Sequence, residues 1–90
     1  MFDKKVELII TEEKGLHFRA MSRFNKICKE HDVEVVINKS GSVTKAKSTN
    51  TMAILLLGIA KGDYVDLVIQ GLSNESINAA SRDFNLEFAS

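Results

Sequence analysis

The sequence has no proline, a single cysteine, a single tyrosine and no surplus of charge of either sign. One cysteine, Cys28, rules out an internal disulfide, and a lone thiol suits a reducing compartment. Twelve basic and twelve acidic side chains cancel, so overall charge offers nothing to a nucleic acid or an anionic membrane. A nucleic-acid role is further disfavoured because no strand carries the interleaved aromatics on which bases stack. The longest apolar run, residues 52–57, falls far short of the roughly 20 needed to cross a bilayer. Residues 1–5 lack the layout of a signal peptide, so a cytoplasmic protein without membrane insertion is expected. There is no Ser-His-Asp set, no glycine-rich phosphate loop and no paired acid and base, which argues against an independent enzyme. With a single cysteine and two histidines fourteen residues apart, neither a metal nor a cofactor is expected.

Ninety residues, 44% of them hydrophobic, suit one domain (1–90) built around one core. Val6, Leu8 and Ile10 alternate on one face of a first strand. Residues 18–29 then place Ala20, Phe24 and Ile27, with His31 beyond, at helical spacing. Val33, Val35 and Ile37 alternate again, and Lys39-Ser40-Gly41-Ser42 has the chemistry to turn the chain into a hairpin partner at residues 43–47. Residues 49–57 read as a short helix with Ser48, Thr49 or Thr51 as cap and Gly58 as terminator, with a buried strand as the alternative that periodicity does not separate. A strand at 64–70 and a last helix follow, the helix capped by Ser73 or Asn74 and burying Ile77, Ala80, Phe84 and Phe88. The order β-α-β-β-α-β-α, with short connections, predicts an α+β protein: three helices on one face of a four-stranded antiparallel sheet. Ile9, Val36 and Val68 should then form an apolar strip on the open face. Glu12 and Glu13 with Lys14 read as a solvated loop, and His31 as a structural residue at a helix C-terminus.

The most informative stretch is Gly15-Leu16-His17-Phe18-Arg19-Ala20, at a strand-to-helix junction. A helix starting there aims unpaired N–H groups and a positive dipole end at whatever the imidazole carries, and Arg19 adds a forked cationic donor. Unprotonated imidazole is a good nucleophile towards phosphorus, so the pattern suits a place that holds a phosphoryl group.

This motif resembles the active-site motif of the HPr family, the histidine-containing phosphocarriers of the bacterial sugar phosphotransferase system. A second block, Lys47-Ser48 followed by Leu57-Gly58-Ile59-Ala60-Lys61-Gly62-Asp63, resembles the regulatory-serine region of that family and the turn behind it. The resemblance covers essentially the whole chain and implies the open-faced β-sandwich. It implies that His17 accepts phosphate on Nδ1 from phosphorylated enzyme I and passes it to IIA domains of sugar transporters. Arg19, with the backbone N–H groups of Phe18, Arg19 and Ala20, would hold the phosphoryl oxygens. In Gram-positive members a kinase also modifies the serine corresponding to Ser48, and a catabolite-control regulator reads the product.

Three departures stand out. Ala20 takes the place of the family's proline, which returns an N–H to the helix start and frees φ. Phe18 replaces a small residue beside the histidine. The interval from Ser48 to Gly58 is two residues longer than usual, so counting from His17 puts Ser48 at the regulatory position, whereas counting back from Gly58 puts Asn50 there. Together they leave room for an alternative, an HPr-like regulatory module that no longer relays phosphate.

Overall fold

The computed structural model describes residues 1–89. The elements run β1 (Phe2–Ile9), α1 (Phe18–His31), β2 (Glu34–Lys39), β3 (Lys45–Lys47), α2 (Thr51–Leu56), β4 (Tyr64–Gly71) and α3 (Asn74–Phe88). The strands form one antiparallel sheet in the order β1-β4-β2-β3. The expected element order and sheet class are therefore observed.

Period-two patterning decides which side of the sheet is covered. Leu8 on β1, Val35 and Ile37 on β2, Ala46 on β3 and Val65, Leu67 and Ile69 on β4 are all buried, facing the helices. α1 contributes Ala20, Met21, Phe24 and Ile27, and α3 contributes Ile77, Ala80, Phe84 and Phe88. Phe24, Phe84 and Phe88 meet between the two helices, with ring centroids 4.7 Å, 5.9 Å and 6.5 Å apart, in the tilted and offset arrangements that aromatic quadrupoles favour. His31 closes the same interface further along, with Nε2 2.7 Å from Oδ2 of Asp83.

Local sequence sets the boundaries. α1 ends at Asp32, which adopts the left-handed conformation while its N–H returns to the carbonyls of Cys28 and Lys29. α3 starts on the Ser73 hydroxyl, which accepts the Ser76 N–H. The second hairpin strand is shorter than expected, three residues rather than five. Val43 is almost fully exposed, and the Ser42 hydroxyl draws the Thr44 N–H into a local turn before pairing begins. The expected strip on the open face is also broken. Val36 and Val68 pair directly, but Lys47 and Lys5 flank them, and Ile9 stands apart opposite Tyr64.

The start of α2 corrects the sequence expectation. Neither Ser48, Thr49 nor Thr51 caps it; Asn50 does, with Oδ1 accepting the Ala53 N–H at 3.1 Å. Ser48 instead continues the ladder one residue past β3. Its N–H donates to the Val35 carbonyl at 2.6 Å and its Oγ accepts the Val35 N–H at 2.9 Å. Alternation along Lys45, Ala46, Lys47 and Ser48 turns that hydroxyl inward, leaving the residue 8% exposed. Gly58 does follow the helix with φ +63°, as a left-handed terminator should.

Candidate functional site

The segment between β1 and α1 is pinned at both ends. Ile10 exchanges hydrogen bonds with the turn ahead of β4, donating to Asp63 and accepting from Gly62, and the Thr11 N–H reaches the Phe88 carbonyl. The chain then turns on the Gly15 N–H to the Glu12 carbonyl, and the Leu16 N–H donates to the Ile59 carbonyl at 3.1 Å. Gly15 has φ +70°, and an added Cβ would lie 2.1 Å from the Ile59 oxygen, so glycine is required by conformation and by space. Leu16 is buried beside it. With these two residues locked, the next side chain out is His17.

His17 is the N-cap of α1. Its backbone is extended (φ −95°, ψ −172°), its carbonyl accepts the first helical bond from Met21 at 3.0 Å, and its Nδ1 accepts the Arg19 N–H at 3.3 Å. Nδ1 therefore carries its lone pair towards the helix N-terminus, and in the neutral ring the proton sits on Nε2. The N–H groups of Phe18, Arg19 and Ala20 precede the first intrahelical donor and point the same way. Among the described residues Arg19 makes no ion pair, and its exposed guanidinium is free to meet an anion. The Ala20 side chain is fully buried, so the residue that replaces the family's proline serves as core while keeping its amide. Phe18, next to His17 in the chain, is 74% exposed.

An open cleft of about 400 Å³ lies next to His17, lined by Glu12, Glu13, Lys14, Arg19 and Arg23. Here the expectation of a solvated loop is corrected in part. Glu13 does pair at the surface, with Lys61, but the half-buried Glu12 accepts from Nη2 of Arg23. Nη1 of Arg23 donates to Glu87 at 3.0 Å, and its guanidinium lies 5.4 Å from the centre of the Phe88 ring. The spacing of Arg19 and Arg23, one helical turn apart, was the only hint of this in the sequence.

Two further groups complete the surroundings. Met52 and Leu56, also one turn apart, are exposed on α2, which is held to α1 by Asn25 Nδ2 donating to Thr51 Oγ1 at 3.3 Å. In the sequence this pair is hidden inside the continuous apolar run of residues 52–57. Ser48 lies away from His17, in a groove with Asn25, Cys28 and Thr49. Burial pushes the Cys28 thiol up to about 11, only partly opposed by its hydrogen bond with Ser48. Asp63, in the turn that anchors Ile10, is held below the usual carboxylate range by accepting the Ala60 N–H and then by Lys39.

The chain is similar to known proteins over most of its length. The family model for the "PTS HPr component phosphorylation site" matches residues 4–84. The phosphocarrier protein HPr of Vibrio cholerae is 35% identical over 71 residues, 79% of each chain. The crystal structure of HPr from Thermoanaerobacter tengcongensis superposes with a TM-score of 0.73 at 26% identity, over 90% of this chain and 89% of that one. The phosphocarrier protein HPr from Bacillus anthracis shares the fold, with a TM-score of 0.72 at 18% identity over 90% and 95% of the two chains. No helix among the described residues is long and apolar enough to cross a membrane.

Proposed function

The chain belongs to the HPr family of phosphocarrier proteins, which are not enzymes, and from that premise we propose that His17 accepts a phosphoryl group from phosphorylated enzyme I and yields it to IIA domains of sugar transporters. The observation that carries this reading is the His17 Nδ1 lone pair, already turned to the amide end of α1 by the Arg19 N–H. In the transfer, that lone pair attacks phosphorus as the donor's P–N bond breaks, and the electron pair of the broken bond returns to the donor nitrogen. The phosphoryl oxygens then lie before the N–H groups of Phe18, Arg19 and Ala20, with the Arg19 guanidinium closing over them. These contacts are surface-exposed and few, which suits a group that must leave again.

Exposed Phe18, Met52 and Leu56 supply apolar anchors for the docking of larger partners. The presence of His17, Arg19 and the free amide end of α1 together favours the relay over a purely regulatory module. A kinase acting at Ser48 would first have to release the Val35 N–H and turn the hydroxyl outward, so a catabolite-control regulator is reached only through local opening of residues 47–50. A cytoplasmic location goes with the same reading.

The test is incubation with enzyme I and phosphoenolpyruvate, followed by intact mass. One acid-labile phosphoryl group, absent from His17→Ala, is the expected result. A folded chain that gains nothing from an enzyme I active on an ordinary HPr would overturn the proposal.

A further inference from the structure

Resting on the reading of His17 as the acceptor, we propose that Arg23 is a second cation of the phosphohistidine state, released from Glu12 when the phosphoryl group arrives. His17, Lys14, Arg19, Arg23, Glu12 and Glu13 line one cleft. Before phosphorylation Arg23 is fully engaged: Nη2 with Glu12, Nη1 with Glu87, its plane over Phe88. Arg19 has no such partner, so the cleft holds one free and one restrained guanidinium.

A phosphoryl group brings roughly two negative charges into a cleft that already holds two carboxylates. Glu12 and Glu13 repel it; Lys14 and Arg19 also line the cleft, but Arg23, whose side chain is 41% exposed, is the cation there that is tied to one of the repelling carboxylates. The guanidinium has five donors, so it can keep Glu87 and Phe88 while exchanging Glu12 for a phosphoryl oxygen. Its anchors lie on the C-terminal helix α3, and the exchange therefore couples the charge on His17 to that helix.

The exchange also sets the lifetime of the phosphohistidine. In hydrolysis a water oxygen bonds to phosphorus as the P–Nδ1 bond breaks; its electron pair returns to Nδ1, which leaves most readily when Nε2 is protonated. A cation beside the phosphoryl group disfavours that protonation and holds the oxygens, whereas a carboxylate does the reverse.

Phosphoramidate, a small donor, tests this without enzyme I: its phosphoryl group passes to Nδ1, and ammonia leaves with the proton that Nε2 gives up. In the wild type the Arg23 Nε–H resonance is expected to move on phosphorylation. The phosphohistidine, followed by intact mass, should decay about three-fold or more faster in Arg23→Met, which keeps the stem over Phe88, and about two-fold slower in Glu12→Gln. An unmoved Arg23 resonance in phosphorylated wild type, or an unchanged lifetime in a folded Arg23→Met, overturns the exchange and leaves the carrier reading intact. A wild-type chain that takes no phosphoryl group from phosphoramidate overturns both.

Discussion

Replacing Gly15 by alanine should damage this protein more than any comparable change at its other left-handed glycines. Gly15, Gly41 and Gly58 all have positive φ, +70°, +83° and +63°, so alanine at each incurs a conformational cost of roughly 1–2 kcal/mol. At Gly41 and Gly58 nothing lies within 4 Å of the added methyl, and the cost should stop there. At Gly15 the methyl would sit 2.1 Å from the Ile59 carbonyl oxygen and 2.7 Å from the Ala60 Cα, both backbone atoms that no rotamer can move. Relief requires displacing that carbonyl, which also accepts the Leu16 N–H; losing this bond beside the buried Leu16 costs about 1–3 kcal/mol more. The total is roughly 2–5 kcal/mol, against about 5–15 kcal/mol of stability for a typical small domain. At ~4–8 °C per kcal/mol for a chain of this size, Gly15→Ala should melt at least ~8 °C below wild type. Thermal unfolding followed by circular dichroism, with Gly58→Ala alongside, isolates the steric part. A Gly15→Ala protein within about 1 kcal/mol of Gly58→Ala would refute the claim that close approach, and not φ alone, fixes glycine at the entrance to His17.

Ser48→Ala removes the acceptor for the buried Val35 N–H and should cost about 1–3 kcal/mol in urea unfolding, more than an exposed serine warrants. Asn50→Ala should cost about 1 kcal/mol through loss of the α2 cap, with Asn50→Ser restoring most of it. Cys28 should react with iodoacetamide at pH 8 roughly 100-fold more slowly when folded than when unfolded, because a thiol at about 11 is so seldom ionised there. Since its folded pKa is the higher one, the stability it contributes is full below the unfolded thiol's range and is lost as pH rises towards 11, a trend that Cys28→Ala should flatten.

The sheet and the two long helices were legible because their periodicities are clean and their bounds are set by residues with one local use, such as Ser73. The start of α2 was not legible. Ser48, Thr49, Asn50 and Thr51 all have capping chemistry, and the choice among them falls to tertiary register: Val35 pairs with Ser48, which draws that hydroxyl inward and leaves Asn50 at the helix entrance. At the candidate site, the placement of His17 and Arg19 could be read from six consecutive residues. The Arg23 network could not, since Glu12 and Glu87 stand 11 and 64 positions from Arg23 and only the packing of α3 on α1 brings them together.

The strand order has a consequence for how the protein is made. Of these strands β1 leaves the ribosome before the others; among the described residues β4 is its sheet neighbour, and β4 is also what joins β1 to the local β2–β3 hairpin. Until residues 64–71 emerge, the apolar faces of β1 and α1 have no completed sheet to join, and a nascent chain holds at most a helix and a small hairpin. Assembly waits for residues 64–71 and then proceeds through pairings about 60 residues apart, a route slower than that of local helical folds. Chains interrupted before β4 carry unpaired strand edges and uncovered apolar surface, and they are the species that chaperones and proteases meet.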